Sequence, residues 1–313
     1  MTRITTNAGS HSAGSNRANW VRERTGPLAS LADFVELTKP RIVLLELVTV
    51  VVAAHLASPR GIDAWILWHT VLGAMLVAAS AGAFNQWLET STDARMERTA
   101  SRPLPAGRLA AWQVVLFGLI TLAAGTIQLL LFVNPLATAA AVATWLVYVT
   151  LYTPLKTRTP LNTAVGAVSG ALPILIGWSA TGAALDMRAW SLVAAMFLWQ
   201  FPHFMAIAWL YRADYARGNQ RMLTVVDPTG WRAAGQAVVA ALALIPVSLV
   251  PALAPSAGSP MIYVFWTLVL GIGQAAAAAL FLARRDDRSA RWLLRASLIY
   301  LTCWMGLLVM VAV

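Results

Sequence analysis

The sequence predicts an all-α membrane protein, a polytopic bundle of about nine transmembrane helices. Hydrophobic residues make up 59% of the 313 residues and charged residues only 12%, whereas a soluble chain carries roughly 25% charged residues. The apolar residues fall in runs close to the length of about 20 residues that crosses a bilayer core. The predicted spans lie near residues 42–57, 65–88, 111–132, 135–153, 163–181, 190–211, 233–253, 261–283 and 292–313.

The positions of the basic residues predict the orientation of these spans. Of the 23 Lys and Arg residues, 21 lie before the first span or in alternate loops, and the other segments contain only Arg60 and Arg188. Loops that face the cytoplasm are enriched in Lys and Arg, so the N-terminus is predicted in the cytoplasm and the C-terminus outside. The net charge of +10 would also suit nucleic acid. A basic groove for nucleic acid would not alternate from loop to loop, so no such partner is expected.

The chain divides into a tail and one helical domain. Residues 1–30 are rich in Ser, Thr, Asn, Gly and Arg and have no apolar core, which is typical of a disordered basic cytoplasmic tail and not of a secretory signal. The same composition fits an organelle transit peptide, so both the cell inner membrane and the mitochondrial inner membrane are open locations. Residues 31–313 are predicted to form the intramembrane domain. Cys303 is the single cysteine, which excludes an intramolecular disulfide.

Acid and amide side chains form a stripe at the cytoplasmic end of the predicted second span. Asn85, Glu89, Asp93 and Glu97 recur every four residues and are therefore predicted to lie roughly along one face of a helix. Carboxylate and amide oxygens are ligands of Mg²⁺, which proteins bind through one or two carboxylates together with substrate phosphates. The alternative is a solvated helix end whose acids pair with Arg95 and Arg98.

Polar residues also occur within two other spans. Gln200, His203 and Asp214 have the spacing of one helical face at the cytoplasmic end of the sixth span, which predicts a polar cavity there. His203 could instead bond to a neighbouring helix. Glu46 lies inside the first span, where it either lines the cavity or pairs with another helix.

Basic and aromatic residues accompany the acids at the same end of the bundle. They are Lys39 and Arg41 before the first span, Arg98 and Arg102 after the second, and Tyr152, Lys156 and Arg158 after the fourth. Each basic residue alone is also expected as a cytoplasmic anchor. Together with Mg²⁺ ligands above apolar helices, they favour a diphosphate with a lipid tail as substrate, and membrane lipid as the surroundings.

At these residues the chain resembles the haem branch of the UbiA-type intramembrane prenyltransferases, the protohaem IX farnesyltransferases or haem O synthases. The Met-x-Arg-Thr and Trp-Gln-x-Pro-His-Phe segments are specific to that branch, whereas the acidic stripe marks the wider superfamily. The resemblance covers nearly everything from Leu37 to the last span. It includes residues 37–42, 85–93, 96–99, 102–108, 152–162, 177–179, 199–204, 214–218, 222–223 and 226–230.

The resemblance implies that farnesyl diphosphate and haem B are joined to give haem O, with Mg²⁺ required. It implies that Asn85, Glu89, Asp93 and Asp214 hold Mg²⁺ and diphosphate. The groups that neutralise diphosphate are then Arg98, Arg102, Lys156 and Arg158, with the haem propionates as rival partners. Gln200 and His203 would face haem or the step in which water adds. A downstream haem-modifying enzyme or an oxidase is the expected protein partner.

Three positions depart from the family pattern. Glu89 stands where many relatives have Asp, and Thr157 replaces a common basic residue. Leu210 occupies the place of an upstream acid in the wider superfamily, so a second metal ion is not expected. A quinone-pathway aromatic prenyltransferase and, in a different class, a transporter remain the alternative functions.

The charge distribution makes a topology prediction. Loops 89–110, 154–162, 212–232 and 284–291 should all be cytoplasmic, and cysteine labelling in intact cells can test each loop separately. External labelling of loop 89–110 or 212–232 would contradict a shared site, because the acidic and basic clusters would then lie on opposite sides of the membrane.

Overall fold

The computed structural model describes residues 27–58, 60–253 and 260–312, and throughout these ranges the secondary structure is helical. Nine helices in this part of the chain are long and apolar enough to cross a membrane, which confirms the predicted all-α class and span number. Of the predicted tail, residues 1–26 lie outside the described ranges, and residues 27–30 form the start of the first helix.

The helices agree with the predicted spans to within a few residues at most ends. The second span differs, because α3 continues to Asp93. It contains Asn85, Glu89 and Asp93 of the acidic stripe, whereas Glu97 lies in the loop beyond its end. The bounds are α1 Pro27–Leu37, α2 Pro40–Ala57, α3 Ala64–Asp93, α4 Ala111–Phe132, α5 Pro135–Leu155, α6 Asn162–Ala171, α7 Pro173–Ala180, α8 Met187–Leu210, α9 Arg212–Arg217, α10 Leu223–Val226, α11 Trp231–Leu249, α12 Pro260–Arg284 and α13 Asp287–Ala312.

The spanning helices form one bundle in which neighbours along the chain pack together. Helices α6 and α7 share the fifth span, and α8 packs against α6, α11 and α13. Helix α13 also contacts α2, which joins the end of the bundle to its beginning. Large apolar side chains such as Leu44, Ile120, Leu131, Val239 and Ile272 are exposed on the outside, as expected of a surface that faces lipid.

Helices α2 and α7 approach each other closely at a glycine. A Cβ atom added to Gly177 would lie 1.9 Å from the carbonyl oxygen of Val50. Small residues at such contacts allow the backbones of membrane helices to meet. Gly177 therefore sets the distance between α7 and the helix that begins beside Lys39.

Helix α5 changes its geometry just before it reaches the polar end of the bundle. Pro154 lacks an N–H group, and its ring would collide with the carbonyl of the preceding turn. The chain widens into a π-helical segment over Val147–Tyr152, and the Thr153 hydroxyl donates to the Tyr148 carbonyl at 2.9 Å. Such π segments are frequent at functional sites. This one brings the Tyr148 and Tyr152 rings to 5.3 Å between centroids.

The Gly177 contact predicts a specific packing defect. Gly177→Ala should lower the free energy of unfolding by about 1–3 kcal/mol, because the new methyl group overlaps the Val50 carbonyl and forces the helices apart. The measurement is the thermal unfolding midpoint of the detergent-solubilised protein. Gly273→Ala is the matched control, since a Cβ atom there meets no atom within 4 Å. Equal midpoints for the two variants would contradict the close approach of α2 and α7.

Candidate active site

A polar cavity of about 80 Å³ lies at one end of the bundle, where α2 begins and where α3 and α5 end. Eight of the residues predicted from the sequence line it, and side chains from the connecting loops and from α8 complete the wall. The lining consists of Lys39, Asn85, Glu89, Asp93, Arg98, Arg102, Tyr152 and Lys156, together with Met96, Thr99, Phe204, Tyr215, Gln220 and Met222.

Asp93 is the most deeply buried acid of the cavity, with no exposed side-chain surface. Its Oδ2 atom lies 2.7 Å from Nη1 of Arg102, and the Thr99 hydroxyl donates to its backbone carbonyl at 3.0 Å. The other carboxylate oxygen, Oδ1, is buried and has no hydrogen-bond partner in the described part of the chain. Because a buried acceptor of this kind is costly to leave unpaired, Oδ1 is a position where a cation would be stabilised.

Glu89 and Lys156 form the second ion pair of the cavity. The Lys156 ammonium lies 2.7 Å from the Glu89 carboxylate and 4.6 Å from the centroid of the Tyr152 ring. Burial alone would lower the pKa of Lys156, but the Glu89 carboxylate and the two neighbouring tyrosines raise it above its ordinary value. Lys156 is therefore charged, and its ammonium is paired with the Glu89 carboxylate.

Lys39 connects the beginning of α2 to the acidic stripe. It adopts a left-handed backbone conformation, with φ of 52°. Its ammonium donates to the amide oxygen of Asn85 and, at 3.4 Å, to the Tyr148 hydroxyl. The Asn85 amide nitrogen donates to the Thr153 hydroxyl at 3.0 Å. Burial, followed by the charges of Arg102 and Lys156, lowers the pKa of Lys39 to about 7.

The oxygen ligands of the cavity fit Mg²⁺. Glu89 and Asp93 are one helical turn apart on α3, Asn85 precedes them by another turn, and one Asp93 oxygen is unpartnered. No group of three His, Cys, Asp or Glu side chains is placed to hold a metal ion by itself within residues 27–58, 60–253 and 260–312. An ion at this site would need further oxygens, and Mg²⁺ commonly obtains these from substrate phosphates.

Asp214 does not line the cavity, although the sequence grouped it with the metal ligands. Its carboxylate accepts hydrogen bonds from the backbone N–H groups of Glu97 at 3.0 Å and Arg98 at 3.3 Å, and from Arg217 at 2.6 Å. Burial would raise the pKa of Asp214, but these donors hold it below its ordinary value. Asp214 therefore ties the loop after α8 to the loop after α3.

The prediction that Gln200, His203 and Asp214 share one helical face is wrong. Helix α8 ends at Leu210, the chain turns at Tyr211, and Asp214 lies in the separate helix α9. The helical period does not continue through this break. Gln200 donates to the Ala167 carbonyl at 2.9 Å, and His203 bonds to Ser297, so both bond to neighbouring helices.

Two predicted basic residues and Glu46 also lie away from the cavity wall. Arg41 and Arg158 are exposed. Glu46 is partly buried in α2 and forms no ion pair with the described residues. Sequence reasoning gave no role to Thr99, Phe204, Tyr215, Gln220 and Met222, which line the cavity. All except Gln220 stand within the segments that carry the family resemblance.

Arg98 reaches the cavity from the loop that Asp214 holds. Its guanidinium carbon lies 4.8 Å from the centroid of the Tyr211 ring and 5.5 Å from that of Tyr215. The two tyrosines thus hold a planar cation between aromatic faces. Together with Lys39, Arg102 and Lys156, it gives the cavity four basic side chains around two carboxylates, an arrangement suited to a multiply charged phosphate.

The family model for UbiA prenyltransferases matches residues 47–304 of the chain. The chain belongs to the UbiA prenyltransferase family. A protoheme IX farnesyltransferase of Solibacter usitatus is 41% identical over 289 residues, which cover 90% of this chain and 98% of the relative. A protoheme IX farnesyltransferase of Rhodopirellula baltica is 41% identical over 279 residues, covering 85% of this chain and 95% of that one.

Solved structures share the fold at low sequence identity. A digeranylgeranylglyceryl phosphate synthase superposes with a TM-score of 0.73 at 18% identity, over 90% of this chain and 98% of that chain. A UbiA homologue from Archaeoglobus fulgidus bound to DMAPP and Mg²⁺ superposes with a TM-score of 0.69 at 14% identity, over 90% and 99% of the two chains. The helical bundle described above is therefore the bundle of this family.

The hydrogen bonds of Asp214 predict how its loss affects the neighbouring loop. In Asp214→Asn the amides of Glu97 and Arg98 should exchange hydrogen roughly tenfold faster or more, because a hydrogen bond to a charged group stabilises by about 1.5–3 kcal/mol. Hydrogen exchange followed by mass spectrometry of the peptide around residues 94–102 measures this. Asp227→Asn is the control, since Asp227 bonds to Thr229 and Arg232 in its own loop. Unchanged exchange in Asp214→Asn would show that Asp214 does not hold the loop.

Proposed function

We propose that the chain transfers the farnesyl group of farnesyl diphosphate to a vinyl group of haem B, with addition of water, and so produces haem O and diphosphate. The observation that supports a prenyl diphosphate as the donor is that four basic side chains and two carboxylates, from separate parts of the chain, meet in one cavity at the end of an apolar bundle. The assignment of haem B as the acceptor rests on the relatives, which are named protoheme IX farnesyltransferases and which match 90% and 85% of this chain.

The cations of the cavity act on the diphosphate. In the structure Arg102 and Lys156 are bound by Asp93 and Glu89, so their side chains are already held at the cavity wall. A bound diphosphate competes for them, because phosphate oxygens accept strong charge-assisted hydrogen bonds from Arg and Lys. When the bond between C1 of the farnesyl group and oxygen breaks, negative charge grows on the diphosphate, and cations fixed in advance stabilise that charge.

Asn85, Glu89 and Asp93 are the residues that would hold Mg²⁺ beside the diphosphate. When bound, the ion supplies charge neutralisation for the departing diphosphate. Asp214 is already engaged by two backbone amides and by Arg217. We therefore assign to Asp214 the placement of the loop that carries Arg98, and not direct ligation of the ion.

The transfer itself is balanced by one water molecule. Loss of diphosphate leaves an allylic cation at C1, the vinyl group of haem attacks C1, and a carbon–carbon bond forms. Water then adds to the cation left on the former vinyl group, and one proton is released. The apolar helices around the cavity hold the farnesyl chain, and we assign the active end of the bundle to the cytoplasmic side of an inner membrane from the charge of its loops.

The product distinguishes this function from its alternatives. Detergent-purified protein supplied with haem B, farnesyl diphosphate and Mg²⁺ should yield haem O, identified by chromatography and mass. Removal of the ion with a chelator should stop the reaction, and 4-hydroxybenzoate should not serve as acceptor. Prenylation of the phenol without a haem product would overturn the acceptor assignment. If the farnesyl group is transferred to neither haem B nor 4-hydroxybenzoate, the result would favour the alternative function, a transporter.

The charge of Asp93 is predicted to be essential for turnover. Asp93→Asn keeps the side-chain volume and removes the negative charge beside Arg102, and the rate of farnesyl transfer should fall by about 10²-fold or more, as for other charge-stabilising groups. Asp227→Asn, in the exposed loop after α10, is the matched control and should keep the wild-type rate. The unfolding midpoints of both variants show whether a lower rate reflects lost folding. Near-normal Mg²⁺-dependent activity in Asp93→Asn would show that the acidic stripe is a structural feature of the helix end and that the charge of Asp93 is not needed for catalysis.

A further inference from the structure

His203 is held by two contacts that involve the same partner helix. Its Nδ1 atom lies 3.0 Å from the hydroxyl oxygen of Ser297 on α13. One turn earlier on α8, the Trp199 indole donates to the Ser297 backbone carbonyl at 2.7 Å. The imidazole stacks on that indole with 4.8 Å between the ring centroids. The plane and the direction of the imidazole are therefore fixed by Trp199 and Ser297.

The bond to Ser297 also selects the position of the imidazole proton. The Ser297 hydroxyl has one proton, which it donates to the Leu294 carbonyl at 2.7 Å, a common arrangement for serine in a helix. With the hydroxyl proton on that carbonyl, the hydroxyl oxygen accepts from His203, and this bonding pattern assigns the imidazole proton to Nδ1. In the neutral ring this leaves Nε2 with a free lone pair. Nε2 bonds to no protein group among the described residues, and the ring is only partly buried.

This arrangement is that of a histidine prepared to bind a metal. Ligating histidines usually donate their other ring N–H to a fixed oxygen, which sets the tautomer and the ring orientation. A zinc ion, the metal most often held by histidines, needs three or four protein ligands, and the described residues contain no group of three His, Cys, Asp or Glu side chains placed to hold a metal ion. Haem iron, in contrast, already has four nitrogen ligands in the porphyrin and is commonly held by a single protein histidine. One isolated histidine therefore suits haem.

The position of His203 also suits a haem that reacts at the cavity. The next residue, Phe204, lines the cavity, and its ring meets the imidazole edge to face at 5.6 Å. Together with Trp199, it surrounds the imidazole with aromatic surface, on which an apolar macrocycle can pack.

We propose that Nε2 of His203 is an axial ligand of the iron of haem B, and that Ser297 is the positioning residue that fixes its tautomer. This inference rests on the proposed function, since haem is the acceptor only there. Ligation of the iron would fix the macrocycle relative to the cavity, so that one region of the porphyrin edge is presented to C1 of the farnesyl group.

The test compares an iron porphyrin with an iron-free one. Purified protein in lipid nanodiscs is titrated with ferric protohaem or with protoporphyrin IX, without prenyl diphosphate, and binding is followed by absorbance and electron paramagnetic resonance. The wild type should show a histidine-ligated ferric spectrum. His203→Ala should bind protohaem at least about tenfold more weakly but protoporphyrin IX unchanged, and added imidazole should restore the spectrum. Ser297→Ala, which keeps the backbone carbonyl, should weaken protohaem binding about tenfold by freeing the ring.

Two further variants keep the test decisive. His203→Met offers sulfur in place of nitrogen and should change the ligand signature while protohaem stays bound. His69→Ala is the matched control, because His69 is buried near the opposite end of the bundle, bonded to Gln128 and stacked on Phe132. It should leave both affinities and the spectrum unchanged.

The outcomes separate this inference from the proposed function. A wild-type spectrum in His203→Ala, or an equal loss of protohaem and protoporphyrin IX, would overturn iron ligation by His203 even where the wild type makes haem O. A wild type that makes no farnesylated haem in the product assay overturns the acceptor assignment itself.

Discussion

Charged side chains at the end of this bundle lie against apolar helices, where an unpaired carboxylate or ammonium is strongly disfavoured. The structure meets this constraint with two ion pairs of 2.7 Å, Asp93 with Arg102 and Glu89 with Lys156. Removing one partner of such a buried pair typically costs about 3–5 kcal/mol. The end of α3, the loop that follows it and the end of α5 are therefore held together by the groups that a phosphate ligand would need. The same pairing that stabilises the buried charges keeps the basic side chains of the cavity in position.

The loops beyond the helices act as one layer because their polar groups satisfy one another. Asp214 binds the backbone of Glu97 and Arg98, and the N–H of Arg221 donates to the Lys156 carbonyl at 2.6 Å. The positions of Arg98 and Lys156 thus depend on the segment after α8, which is distant from both in the chain. A substitution of Asp214 or Arg221, neither of which lines the cavity, is expected to act on the cavity through this layer.

Three residues of the acidic stripe were predictable because they lie within one uninterrupted helix. Asn85, Glu89 and Asp93 follow the helical period, and α3 continues to Asp93 and so contains all three. Spacing alone therefore placed their side chains on one face. The same reasoning failed for Asp214, because the break after Leu210 starts a new helix with a new direction. Nothing in the composition of residues 210–215 marks that break. The π-helical segment of α5 was not predicted either, because the composition of residues 147–152 does not mark it. Pro154 indicated only that the helix is irregular nearby.

The sequence by itself determined the helical class, the number of spans and the family. It also determined at which end of each helix the charged residues lie. These properties depend on hydrophobic length, local period and the order of residue types, all of which are local to the chain. Only the tertiary structure decided which partner each charged or polar group has. Lys156 meets Glu89, Asp214 meets the amides of loop 94–110, and His203 meets Ser297 94 residues further along. Such contacts join different helices, so they exist only after the helices have packed, and packing depends on close approaches such as Gly177 against Val50.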